Sequence, residues 1–163
     1  MLDFLATLTE LAEEKEGDTT RHNRALLKKI MGYDLSLVTK TFAHRNPEYR
    51  DQANVLEKEC KRFLYLAAII PQLEHAPTKP IDEYWHTFIL FTREYTKFCQ
   101  DVIGAYVHHK PLGAADHQAV FDRTQNMITD LFGATFTDRE IWMMPAPATS
   151  CCSARDVDDA LTA

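Results

Sequence analysis

One segment of the chain, residues 80–111, concentrates the side chains that could bind a metal ion. Its sequence, PIDEYWHTFILFTREYTKFCQDVIGAYVHHKP, holds three of the seven histidines, one cysteine, a tryptophan and several carboxylates. In a helix Asp82 and His86 are four residues apart and lie on one face. The carboxylate can therefore bind the same ion as the imidazole or hold the imidazole in its ligating tautomer. This spacing predicts a metal site that includes Asp82 and His86.

Three further candidate ligands follow His86 in the chain, namely Cys99, His108 and His109. Cys99 comes thirteen residues after His86, which places it roughly 140° away around a straight helix. A straight helix could not bring both residues to one ion, whereas a break at Thr92 would remove that objection. The two adjacent histidines lie beyond the expected end of the helix and could fold back toward His86. Neighbouring histidines usually point in different directions, so we expect one at the site and the other in a supporting or exposed position.

The same residues also have purely structural interpretations, which the sequence leaves open. His86 could be a partly buried core histidine bonded to Asp82, and Cys99 could be a small buried hydrophobe. The two adjacent histidines could lie in a solvated turn. The aromatic residues of the segment are expected in the core: Trp85, Phe88, Phe91, Tyr95 and Phe98.

Other polar residues carry weaker signals. Glu83 and His86 form half of a di-iron bundle motif, but the sequence contains no second copy. Cys151 and Cys152 could capture a soft metal ion, although we expect no function for them. Glu59 is expected on the solvated face of its helix, although it alone among the charged residues there could turn inward as a carboxylate for the same site. The remaining candidates are expected on solvated surfaces: Glu57, Lys61, His22, His44, His75 and His117.

The composition is that of one compact soluble domain. Of 163 residues, 45% are apolar and 26% are charged, which suffices to bury a core. The formal charge of −6 is not gathered into a block, so we expect no nucleic-acid partner. The longest apolar stretch, residues 63–70, is too short to span a bilayer, and no secretion signal opens the chain. We therefore expect no membrane partner and a cytoplasmic location.

Periodicity and capping signals predict an all-α fold of about six to eight helices. Only five glycines occur, and each lies where a helical pattern could end. None is therefore left for a phosphate-cradling loop, which disfavours nucleotide-binding α/β folds. The predicted domain is a single compact unit over residues 1–144, followed by a flexible tail over 145–163 that is rich in Ala, Pro, Ser, Thr and Asp. The helices are expected over residues 2–15, 20–31, 35–44, 47–69, 80–91, 92–103 and 116–132, with a short piece at 137–144.

The run from Glu57 to Pro111 resembles the glycine-rich domain-containing protein-like family. The recurring pattern of that family is an acidic residue before WH, then IL.T..Y..FC, a glycine and HH.P. In this chain the pattern is carried by Asp82, Trp85, His86, Thr92, Tyr95, Cys99, Gly104, His108, His109 and Pro111. The resemblance implies that the polar pattern residues form the functional site. The larger plant members are associated with development and stress responses, the small bacterial members have no agreed activity, and this chain lacks the glycine-rich region.

Two functional hypotheses from different classes follow. The first is a small helical metal-binding protein whose ligands come from His86, His108, His109, Cys99 and Asp82, with zinc favoured over iron because zinc accepts mixed nitrogen, sulfur and oxygen ligands. The alternative is a non-catalytic protein-interaction module, in which Asp82, Trp85, His86 and His108 form a hydrogen-bond network that locks two kinked helices together. Neither hypothesis assigns an enzymatic activity, and the partner expected is a small molecule or a protein of unknown identity.

Overall fold

A computed structural model of the chain describes residues 19–111, 117–133, 138–144 and 151–152. These residues form an all-α domain, as predicted. The helix predicted over residues 2–15 lies outside the described residues. The α-helices of the described part are α1 (residues 19–31), α2 (Ser36–Arg45), α3 (Ala53–Ile69), α4 (Lys79–Leu90), α5 (Thr92–Phe98), α6 (His117–Phe132) and α7 (Arg139–Trp142). A 3-10 helix, Pro47–Gln52, precedes α3, and a π-helical turn, Cys99–Ile103, follows α5.

The core lies where α3 packs against α4, with α2 in contact with both helices. Apolar residues recur on α3 at intervals of three and four, so that one face is buried along its length. Each large apolar side chain that is fully buried contributes about 1.5–3 kcal/mol relative to an exposed one. The largest fully buried side chains of the described residues are Trp85, Tyr84, Tyr95, Phe42, Phe63, Phe88, Phe98, Ile30, Leu56, Leu64, Leu66 and Ile81.

The start of α3 differs from the prediction of one helix over residues 47–69. The chain first forms the 3-10 helix and becomes α-helical only at Ala53. Asn46 is at the N-cap position of this 3-10 helix and makes no capping hydrogen bond with its side chain. Its side-chain amide instead donates to the backbone carbonyl of Phe42 (3.0 Å), which also accepts from the backbone amide of Asn46 (2.9 Å) at the end of α2.

Lys61 was expected on a solvated face of α3, and this prediction is wrong. Its side chain is only 4% exposed. The ammonium group donates to the carbonyl of Tyr33 (2.6 Å), to that of Met31 (3.3 Å) and to the carboxylate of Glu57 (2.6 Å). Because these partners satisfy its charge and donors, the lysine is buried as a link between α3 and the end of α1.

The break predicted between two helices at Thr92 is present. Helix α4 ends at Leu90, and Phe91 takes a non-helical conformation (φ −80°, ψ 61°) before α5 begins. Phe91, rather than Thr92, is the residue at the N-cap position of α5. Gly104 ends the following π-helical turn with φ of 84°, a left-handed conformation that glycine adopts without strain. Residues 105–109 then lead away from this helical end to the first strand.

Two strands of two residues each form an antiparallel pair. Strand β1 (Lys110–Pro111) lies beside β2 (Cys151–Cys152), with Lys110 opposite Cys152. The backbone of these two cysteines, part of the predicted tail, is therefore paired with the residues that directly follow His109. The rest of the predicted tail, residues 145–150 and 153–163, lies outside the described residues, and the boundary at residue 144 stays a prediction.

None of the helices in the described part of the chain combines the length and the apolar character needed to cross a membrane.

Candidate metal centre

The structure brings three of the predicted ligands together: Asp82, His86 and His109. Each residue offers one potential ligand atom, and these atoms all lie within 4.8 Å of one another. Asp82 and His86 are one turn apart on α4, and His109 directly precedes β1. The break after α4 and the left-handed turn at Gly104 are what return the chain to the same place. We call these three side chains the Asp82 cluster.

Asp82 lies between the two imidazoles, and its side chain is only 7% exposed. One carboxylate oxygen, Oδ1, accepts from Nε2 of His109 (3.0 Å), and the other, Oδ2, lies 3.3 Å from Nδ1 of His86. The Nδ1 atom of His86 also lies 2.9 Å from the backbone carbonyl of Asp82. Because a carbonyl can only accept, Nδ1 of His86 carries the proton and Nε2 is the basic nitrogen of the neutral ring.

The two imidazoles differ in their exposure to solvent. The ring centroids of His86 and His109 are 4.1 Å apart. The ring of His109 also packs against the indole of Trp85, with the centroids 4.5 Å apart. The His109 side chain is 11% exposed, whereas that of His86 is 44% exposed. Trp85 itself is fully buried. The Asp82 cluster is therefore firmly enclosed at His109 and open to water at His86.

Cys99 lies apart from the Asp82 cluster. It is fully buried in the core. Burial raises the pKa of the thiol, which favours the neutral form over the thiolate that binds metals. Within the ranges that the structure describes, Cys99 belongs to no group of three potential metal ligands.

His108 also lies apart, although it is adjacent to His109. Its ring packs against Tyr106, with the centroids 4.8 Å apart. Among the described residues it belongs to no group of three potential ligands. The two neighbouring histidines therefore point to different surroundings, with His109 in the Asp82 cluster and His108 on the ring of Tyr106.

Glu59 turns inward, but not toward the Asp82 cluster. It is 2% exposed, and its carboxylate accepts from the guanidinium of Arg62 (2.5 Å), the indole of Trp142 (2.7 Å) and the backbone amide of Asp138 (3.2 Å). We call these groups the Glu59 cluster. The carboxylate therefore joins α3 to α7, so the expectation of a solvated position is wrong and the carboxylate does not complete the metal site.

His75 corrects another prediction, since it was expected on the surface and is fully buried. Its Nε2 atom lies 3.0 Å from the backbone carbonyl of Ile70, just after the end of α3. The polar ring thereby satisfies one of the carbonyls that a helix end leaves without an intrahelical partner. His22 and His44 are exposed, as predicted, and His117 is half-buried.

Sequence reasoning assigned Tyr95 to the core and missed its polar contacts. The residue is buried as predicted, yet its hydroxyl donates to the carbonyl of Val107 (2.5 Å) and accepts from the indole of Trp85 (3.1 Å). The available signal was chemical: tyrosine and tryptophan carry polar atoms that need partners when they are buried, unlike the phenylalanines around them.

A family model described as UCP032817-like matches residues 24–140, a range that includes the whole Asp82 cluster. That description names no activity, and the resemblance to the glycine-rich domain-containing protein-like family stays a prediction. No curated protein and no solved structure matches the chain significantly.

Proposed function

The chain belongs to the UCP032817-like family, and we propose that it binds one divalent metal ion through Asp82, His86 and His109. The observation that carries this proposal is the placement of one carboxylate between two imidazoles, with all three ligand atoms within 4.8 Å. Carboxylate and imidazole are metal ligands that occur together in mononuclear sites.

The spacing of the side chains suits one ion. Ligand atoms bound to a tetrahedral zinc ion lie about 3.3 Å from each other, given zinc bonds of about 2.0 Å. The contact from Oδ1 of Asp82 to Nε2 of His109 (3.0 Å) is close to that size, and one ligand atom from each of the three residues lies within 4.8 Å of the others. An ion at this place would displace the proton that Nε2 of His109 donates to Asp82; the neutral ring would carry that proton on Nδ1 and present the Nε2 lone pair to the ion.

An ion held by three protein ligands has at least one further position for water. The exposure of His86 (44%) leaves that position accessible from solvent. A water molecule bound there would be acidified, which is the chemistry that an open zinc site supplies.

Zinc is the first ion that we propose, and ferrous iron is the second. A ligand set of two histidines and one carboxylate with an open position suits both ions. Because Cys99 lies outside the Asp82 cluster, the sulfur ligand that favoured zinc from the sequence no longer contributes to the choice. The choice rests on three ligands plus water being a common arrangement for zinc.

A structural role for the Asp82 cluster is the second candidate function. Both oxygens of Asp82 already have imidazole partners, so the cluster is a satisfied polar network that joins α4 to residues 105–109. In that case the protein is a helical interaction module, and the cluster contributes to stability alone.

Elemental analysis of the protein purified without a histidine tag distinguishes the two functions. Wild type, Asp82→Asn and His109→Ala are compared with His108→Ala, which removes a neighbouring imidazole outside the cluster. Metal binding predicts near-stoichiometric zinc or iron in wild type and His108→Ala, and its loss in the other two variants. A wild-type protein without metal, and without a thermal shift on addition of zinc or ferrous iron, would favour the structural role.

We also propose a cytoplasmic location. Two of the four cysteines, Cys60 and Cys99, are buried free thiols. A reducing compartment keeps thiols in this state.

A further inference from the structure

The hydroxyl of Tyr95 connects the two parts of the chain that hold His109. Tyr95 is 1% exposed and lies on α5. Its hydroxyl accepts a hydrogen bond from the indole of Trp85 on α4 (3.1 Å) and donates one to the backbone carbonyl of Val107 (2.5 Å). Val107 is two residues before His109, so the hydroxyl joins α4, α5 and the segment that leads to the metal centre.

Both partners of this hydroxyl control the placement of His109. The indole of Trp85 contacts the imidazole of His109 directly, with ring centroids 4.5 Å apart. The carbonyl of Val107, two residues before His109, is held by the Tyr95 hydroxyl. The ring and the main chain of the His109 region are therefore both tied to one buried hydroxyl.

We propose that Tyr95 is the positioning residue of the metal centre: it holds Trp85 and Val107 so that His109 meets Asp82 at the distance that one ion requires. This inference rests on the proposed metal-binding function. Tyr95 does not touch the ion, and it acts through His109.

The physical basis is the cost of an unpartnered buried group. Without the hydroxyl, the indole N–H of Trp85 and the carbonyl of Val107 both lose their partner in a site closed to water, so the surrounding chain shifts to find others. Mutation of a residue that orients a metal ligand typically lowers metal affinity by 10- to 100-fold. We expect a change of that size for Tyr95→Phe, which keeps the ring and its packing.

Tyr84→Phe is a matched control. Tyr84 is also fully buried, and its hydroxyl also takes part in a buried hydrogen bond, to the hydroxyl of Thr39 (2.7 Å). Its ring packs against Phe42 instead of the Asp82 cluster. Both variants lose one buried phenolic hydroxyl, but only one of them loses it beside His109.

The experiment measures zinc affinity by competition with a chromophoric chelator, and amide hydrogen exchange of residues 105–110 without metal. We expect Tyr95→Phe to weaken zinc binding at least tenfold with the stoichiometry unchanged, and to speed exchange in that segment. Tyr84→Phe should change the affinity less than twofold and leave the exchange of the segment unaltered, even where it lowers the unfolding temperature.

Three results would overturn the inference in distinguishable ways. Wild-type zinc affinity in Tyr95→Phe, with zinc bound normally by wild type, would remove Tyr95 from the site and leave the proposed function intact. A wild type that binds neither zinc nor ferrous iron would overturn the proposed function and the role of Tyr95 with it. An equal loss of affinity in Tyr84→Phe would assign the effect to general destabilisation and would also contradict the inference.

Discussion

Two buried carboxylates in this protein, Asp82 and Glu59, both have several hydrogen-bond partners, but the chemical types of those partners differ. Glu59 is paired with a guanidinium, an indole and a backbone amide, none of which offers a lone pair to a metal ion. Asp82 is paired with two imidazoles, each of which has in its neutral form a nitrogen lone pair that can bind a metal ion. A buried carboxylate therefore forms an ion pair with arginine at Glu59 and part of a candidate cation site at Asp82.

The difference shows that burial alone does not identify a functional carboxylate. Glu59 is buried more completely than Asp82, and its counter-charge, Arg62, is 16% exposed. His86 in the Asp82 cluster is 44% exposed. A charge that is already compensated by arginine needs no ion, whereas the contacts of Asp82 among the described residues are imidazoles, which can bind a cation together with the carboxylate.

The largest expected effect is on stability, through the Glu59 cluster. Replacement of Glu59 by alanine leaves the guanidinium of Arg62 and the indole of Trp142 without their carboxylate, so we expect a loss of about 3 kcal/mol in the free energy of unfolding. Urea denaturation with and without zinc measures it. The loss should be the same with and without zinc. A loss that depends on zinc would show that Glu59 takes part in metal binding, which contradicts the difference drawn between the two clusters.

Zinc itself should stabilise the protein through the Asp82 cluster. At free zinc one hundred times the dissociation constant, binding adds about 2.7 kcal/mol to the free energy of unfolding of wild type. In Asp82→Asn, with an affinity a hundredfold weaker, the same zinc concentration adds about 0.4 kcal/mol. Thermal or urea unfolding at fixed zinc tests this, with Glu59→Gln as the control carboxylate variant that should keep the full zinc effect.

Alkaline pH should destabilise the protein by a mechanism that neither cluster controls. Burial raises the pKa of the Cys60 and Cys99 thiols above the ordinary value of 9.0. The stability that comes from keeping these thiols neutral is complete below about pH 9 and is lost as the pH rises, by about 1.4 kcal/mol per pH unit for each thiol that only the unfolded chain ionises.

Urea unfolding between pH 8 and pH 10.5 measures this slope, and Cys60→Ala should reduce it by the contribution of one group. The slope should be the same when zinc is bound, since neither thiol lies in the Asp82 cluster. If bound zinc abolished the contribution of Cys99 to this pH dependence, the thiol would be a zinc ligand, which contradicts a site formed by Asp82, His86 and His109.

The smallest expected effect belongs to His108→Ala. The ring of His108 packs on Tyr106 and not on the Asp82 cluster, so we expect less than a threefold change in zinc affinity, which is under about 0.7 kcal/mol. Competition titration against His109→Ala, in the same buffer and at the same pH, provides the comparison. Similar losses in the two variants would show that the histidines act as a pair.

The parts of this structure that the sequence predicts are the local ones. The contact between Asp82 and His86 follows from their spacing on one helix, and the ends of helices follow from Gly104 and from the change of pattern near Thr92. The sequence predicted that one of the two adjacent histidines lies at the site, but it did not indicate that this histidine is His109 rather than His108. Which of the two returns to α4 depends on the conformation of residues 105–109, for which no periodic signal exists.

Contacts between residues far apart in the chain were not predictable in this way. Glu59 and Trp142 are 83 residues apart, and the pattern of α3 alone favours a solvated position for Glu59 and Lys61. These residues are buried because donors and acceptors arrive from α7 and from the end of α1. Tertiary packing overrode the local preference for solvent, and only the folded arrangement reveals the partners.

The measurement that tests the central claim most directly is X-ray absorption at the zinc edge of the zinc-loaded protein. The account predicts a first shell of nitrogen and oxygen atoms only, at about 2.0–2.1 Å, with the outer scattering of two imidazoles. Asp82→Asn should lose this ordered shell, and His108→Ala should retain it. A sulfur shell at about 2.3 Å would contradict the account, because it would place a cysteine among the ligands instead of Asp82, His86 and His109.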